Sequence, residues 1–276
     1  MEVIKNKTFD EERALYGSDG VTAVNCRFDG PQDGESAFKE SRNIETDGCY
    51  FNLRYPFWHT HTLKINSCEM TSLCRAALWY STDIEIKNTK MHGIKALREC
   101  DRISISDSSI ISPEYGWFSK NINITDSSAE GEYFMMKAEN LTFNNVTLKG
   151  KYSFQYIKNC IFQNCNFDTK DAFWHGENIV VKDSIINGEY LAWYSKNLTF
   201  INCKISGTQP LCYCEGLKLI NCTMDGADLS FEKSDVEAQL LSPVISIKNP
   251  KSGFIKAPSY GELIMTEKST CEITAY

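Results

Sequence analysis

No stretch of this sequence comes near the ~18 consecutive apolar residues that a membrane-crossing helix needs. Its first residues, MEVIKNKTFDEER, carry neither an apolar signal core nor a cleavage site. A cytoplasmic location and no membrane partner are the expectations, and amphipathic helical patterning is missing as well. Excess basic charge is also lacking: 29 Lys and Arg stand against 36 Asp and Glu, a net charge of −7. Without a basic stripe to face phosphates, nucleic acid is not an expected partner. Paired C-x-x-C motifs are absent too, and the lone C-x-C, Cys212 and Cys214 about Tyr213, is a poor start for a metal site. No metal and no cofactor are expected, and no motif names a reaction. Histidine is scarce, four in 276 residues, and no Pro/Gly/Ser linker interrupts the chain.

What the chain does have is a repeat. Trp58, Trp79, Trp117, Trp174 and Trp193 each lie five residues before the first apolar residue of a segment such as NLTFINCKISG. Those anchors are Val21, Ile44, Leu63, Ile84, Ile103, Ile122, Leu141, Cys160, Ile179, Leu198 and Leu217, with Val236 as a last member, and from Ile84 onward every step is 19. A fixed period near 20 predicts a solenoid. Further apolar columns recur two and seven residues after the anchor, with Thr, Ser, Lys, Glu and Asn between them, which is the alternation of strands with one face inward. The reading is all-β: a right-handed parallel β-helix of ~19-residue rungs, about 11 of them. The whole chain, 1–276, forms one domain in this reading. Residues 1–20 cap it, 21–235 supply regular rungs, and 236–276 form irregular rungs or a second cap.

Several columns read as structural devices. Lys120, Glu139, Lys158, Glu177, Lys196 and Glu215 alternate in sign, one per rung, so parallel stacking at roughly 4.8 Å puts each charge beside its opposite. Asn43, Asn121, Asn140, Asn159, Asn178 and Asn197 precede their anchors, and a second Asn/Asp column follows four residues after the anchor. Short side chains that tolerate left-handed backbone suit such corners. Six cysteines, Cys26, Cys49, Cys68, Cys165, Cys203 and Cys222, share one inward position and are expected as buried free thiols.

The aromatic stripe is the candidate site. The position before the Trp column never carries a charge, whereas the Trp column itself includes Lys39, Arg98 and Gln155. Adjacent strand residues face opposite ways, so the uncharged column is assigned to the core and the Trp column to the outside, the inward alternative remaining open. The candidate binding surface is then Trp58, His59, Trp79, Tyr80, Trp117, Trp174, Tyr190, Trp193 and Tyr194. Rings with hydrogen-bonding tips suit a carbohydrate or glycoconjugate, and equally a protein partner or another copy of the chain. The oligomeric state is left open. His59 and His175 share one repeat position, and Asp171 lies four residues before His175, so His175 and Asp171 are the candidate acid/base pair if the face is catalytic.

The segments ERALYG, GESAFKESRNIE, RYPFWHT, KDAFWHGENI, GEYLAWYSKNLTFINC and PLCYCEGL resemble an uncharacterised bacterial family classed as a domain of unknown function. That resemblance implies a right-handed β-helix of the pectin-lyase-like kind and no established activity. The paired-Asp, GHG and RIK blocks of pectin-degrading hydrolases are not found.

Overall fold

The computed structural model describes residues 1–30 and 36–276, and strands are the only regular elements among them. Residues 31–35, inside the expected run of rungs, lie outside this description. Contacts group into two compact units, Met1–Thr142 and Phe143–Tyr276.

In the first unit, strands Glu2–Lys5, Asp19–Val24, Arg42–Asp47, His61–Asn66, Thr82–Lys87, Asp101–Ser106 and Lys120–Glu132 pair in parallel, each with the next. Their register places Val21, Ile44, Leu63, Ile84, Ile103 and Ile122 side by side, the anchors found by periodicity. A second column of short strands begins at Thr8–Phe9 and Arg27–Phe28. Phe9, Phe28 and Phe51 stack along the interior at 4.9 Å and within 8° of parallel.

The second unit repeats the plan with strands Lys158–Gln163, Glu177–Lys182, Lys196–Ile201, Leu217–Asp228, Asp235–Lys248, Ser252–Ala257 and Glu272–Ala275. Its core gathers Phe154, Phe162, Phe167 and Phe173, all fully buried. Among the described residues no helix is long and apolar enough to cross a membrane.

The fold is the expected parallel β-solenoid, but with about 14 turns instead of eleven. The difference lies in the two terminal segments. Glu2–Lys5 pairs with Val21–Val24, so residues 1–20 form a turn themselves; at its anchor stands Glu2, which hides it from an apolar search. After Val236 the next partner is Gly253, a step of 17 with glycine at the anchor, and Phe254 then pairs with Glu272.

The corner columns take the backbone their composition suits. Asn121, Asn140, Asn159, Asn178 and Asn197 all have φ between 54° and 57°. Their amides bond along the stack: Asn140 to Asn121 at 2.9 Å, Asn178 to Asn159 at 3.1 Å, and Asn197 to Asn178 at 3.0 Å. Gly207, at φ 126°, lies so close to the preceding turn that a Cβ there would sit 2.1 Å from the carbonyl oxygen of Gly188. The charge ladder forms Lys120–Glu139, Lys158–Glu177 and Lys196–Glu215 pairs at 3.4, 3.5 and 3.2 Å. Exposed as they are, such pairs fix register more than they add stability.

Candidate functional site

The uncharged column before the tryptophans is core: Phe38, Phe57, Leu78, Leu97, Met135, Phe154, Phe173, Ala192 and Leu211 are all fully buried. The tryptophans face outward, as the alternation predicts, but each is only half-exposed. Four of their indole N–H groups are engaged. Trp79, Trp117, Trp174 and Trp193 donate to the carbonyls of Lys95, Tyr133, Tyr190 and Gln209 at 2.6–2.7 Å. Each acceptor lies sixteen residues on, at the start of the next turn's corner, so the indole ties one turn to the next. Gln155, in the same column, places its side-chain amide on the Asp171 carbonyl at 3.3 Å.

The indole faces are covered as well. In the first unit Trp58 lies 4.9 Å from Trp79, with the Lys39 ammonium over Trp58 and the Arg98 guanidinium over both Trp79 and Trp117. In the second unit Trp174 and Trp193 stack at 5.3 Å, within 2° of parallel. Tyr190 packs its ring edge-on against Trp193 at 5.4 Å, with the Lys170 ammonium over it. The tryptophan column therefore belongs largely to the scaffold.

The accessible rings belong to the next column. In the second unit Tyr156, His175, Tyr194 and Tyr213 stack one above another at 4.8, 5.2 and 4.8 Å, within 12° of parallel. All four have left-handed backbone, φ 53–61°, which turns them out of the corner. Tyr156 and Tyr194 are each 43% exposed. Since each ring covers its neighbour's face, the ladder shows solvent its edges and polar tips. In the first unit the same column holds Glu40, His59, Tyr80, Glu99, Phe118 and Lys137, only three of them rings.

The structure does not bring His175 and Asp171 together. The Asp171 side chain turns into the corner and is buried, and burial raises its pKa above the ordinary carboxylate range despite the nearby Lys170. The His175 ring stands outside between Tyr156 and Tyr194, and no hydrogen bond or ion pair joins it to Asp171. The acid–imidazole contact that does form is elsewhere: Glu40 Oε2 meets His59 Nδ1 at 2.7 Å. His61, edge-on to His59 at 4.9 Å, bonds Thr82 Oγ1 at 2.9 Å. Burial, then the neighbouring His59, lower its pKa. Neither Glu40 nor His61 stands out by residue type, although Glu40 occupies the His59 column one turn earlier. No cluster among the described residues could hold a metal ion.

Residues 2–275 match the family described as "Protein of unknown function (DUF3737)". The chain belongs to the DUF3737 family. No curated protein matches this DUF3737 sequence. Among solved structures it is similar to the A-module of mannuronan C-5 epimerase AlgE4 from Azotobacter vinelandii, at 9% identity and a TM-score of 0.34, over 99% of this chain and 87% of that one. It is also similar to PfbA, a surface adhesin of Streptococcus pneumoniae, at 9% identity and TM-score 0.33, over 99% and 85%. A third likeness is to the catalytic domain of a GH87 α-1,3-glucanase in complex with nigerose, at 12% identity and TM-score 0.34, over 97% of this chain and 58% of that one. Likeness of this degree concerns the stacked-turn architecture and carries nothing about chemistry.

Proposed function

We propose that this protein is a non-enzymatic carbohydrate-binding solenoid whose contact surface is the ladder Tyr156–His175–Tyr194–Tyr213. The observation that carries the reading is a stack of four rings at successive turns, of which Tyr156, His175 and Tyr194 are exposed and Tyr213 is half-buried. The faces between neighbouring rings are covered and offer no platform on which a sugar could stack. What remains is a row of positively polarised ring edges and polar tips, one per turn at roughly 4.8 Å, which a linear chain of hydroxyl-bearing units can follow. Turnover is not part of the reading, because a general base must be held within hydrogen-bond reach of the group it deprotonates, ~2.6–3.2 Å between heavy atoms, and among the described residues no acid orients His175.

The test is a glycan array probed with the wild type and with Tyr194→Ala. Retention of linear glycans by the wild type, weakened about tenfold or more in the variant at unchanged melting temperature, is expected; tenfold corresponds to ~1.4 kcal/mol. An array without retained glycans, or equal retention by the variant, contradicts the proposal. The covered ring faces also favour a second reading, in which the flat ladder edge docks another copy of the chain. Light scattering that finds a dimer dissociated by Tyr194→Ala would support that instead.

A further inference from the structure

The first unit contains an exception to the tryptophan column. At that position Trp79, Trp117, Gln155, Trp174 and Trp193 each donate a hydrogen bond to the carbonyl sixteen residues on. Arg98 occupies the same position and makes no such bond. Its Nε is buried without a hydrogen-bond partner, and the nearest acid, Glu99, approaches that atom only at 3.4 Å. The guanidinium is nonetheless fixed: it lies over Trp79 at 5.0 Å, over Trp117 at 5.6 Å and over Phe118 at 5.5 Å. A planar group with several donors is thus packed among three rings, with one donor, Nε, left without a hydrogen bond.

It borders a cleft of about 550 Å³ lined by Arg98, Glu99, Cys100, Asp101, Phe118 and Lys120, within the ~300–1,000 Å³ range of small-ligand sites. Two of the charged lining groups are engaged with residues outside the cleft. Asp101 accepts bonds from Asn121 at 2.6 Å and from Arg102, and Lys120 pairs with Glu139 at 3.4 Å. Facing the cleft are then the Arg98–Glu99 ion pair, whose members meet at 3.4 Å, and the exposed Phe118 ring.

We propose that this cleft binds an acidic saccharide, its carboxylate held bidentately by Arg98 and a hydroxyl donated to Glu99. Guanidinium and carboxylate match as two parallel hydrogen bonds, geometry that a lysine cannot supply. Glu99 and Asp101 disfavour a phosphate dianion, whereas a monoanion with hydroxyls meets both signs. The site uses no residue of the ladder and stands or falls apart from it.

The experiment is calorimetric titration with a short oligogalacturonate and, separately, with its methyl ester. The wild type should bind the free acid at least tenfold more tightly than the ester. Arg98→Gln and Arg98→Trp introduce residue types that the column already accommodates at Gln155 and at five tryptophans, so both variants should melt like the wild type and lose that preference. Arg98→Lys should lose most of it. Tyr194→Ala should keep it. Equal binding of acid and ester by the wild type, no binding of the acid, or tighter binding of inorganic phosphate overturns the proposal without recourse to any variant. Loss of the preference in Tyr194→Ala overturns it too, by placing the acid on the ladder.

Discussion

The indole N–H of Trp193 donates to the carbonyl of Gln209 at 2.7 Å, while the ring itself stacks on Trp174 at 5.3 Å. One side chain thus joins its own turn to the turn before through its face and to the turn after through its nitrogen. Trp193→Ala should lower stability by roughly 2–3 kcal/mol, below the ~3–5 of a fully buried aromatic because the ring is half-exposed. Trp193→Phe, which keeps a ring and removes the N–H, should cost about 1 kcal/mol. Urea denaturation checks both; a Trp193→Ala variant as stable as the wild type would show that the column is surface decoration.

Asp171 is buried with a raised pKa, so the folded state holds its proton more tightly than the unfolded chain. The carboxyl's contribution is then fully present below the unfolded value of about 3.8 and is lost as pH rises through the folded pKa. Asp171→Asn removes that loss and tolerates the left-handed backbone, φ 54°. Its melting temperature should exceed the wild type's at neutral pH, and the gain should vanish below about pH 4. A gain that persists undiminished in acid would show that the carboxylate's burial is not its cause.

Glu40 and His59 touch, whereas Asp171 and His175 do not. Double-mutant cycles to alanine should give a coupling of about 0.3–1 kcal/mol for the first pair, since both side chains are substantially exposed, and none for the second. Coupling between Asp171 and His175 would restore them as an acid/base pair.

All twelve cysteines are free, eleven of them buried. Burial pushes Cys74 up to about 11 and Cys100, Cys212 and Cys214 up to about 12. The reactive thiolate is therefore scarce in the native protein. A thiol reagent at about pH 8 should label the folded protein slowly and the denatured protein at all twelve cysteines. Recovery of fewer than ten thiols without reductant would contradict the free-thiol core.

Much of this architecture was legible because identical geometry repeats every 19 residues. The anchors from Val21 to Ile122 pair as the spacing predicts, and Lys196 meets Glu215 as the sign alternation predicts. The terminal turns were not legible, because Glu2 and Gly253 stand where an apolar anchor is sought. The outward direction of the tryptophans followed from Arg98 and Gln155 in their column, but their role did not. Hydrogen bonding to a carbonyl sixteen residues away depends on a corner in which Asp171, Phe173 and His175 all take left-handed backbone, and Phe is not a residue type that favours it. Stacking of Tyr194 between His175 and Tyr213 covers faces that residue identity alone leaves open.

The central claim, that the exposed ladder is the ligand surface, is tested most directly by hydroxyl-radical footprinting of Tyr156, Tyr194 and Tyr213 with and without a glycan retained on the array. The account predicts protection of these three tyrosines on binding, with the oxidation of Tyr80 and Phe118 unchanged. Protection confined to Tyr80 and Phe118, or none at any ring, would contradict it.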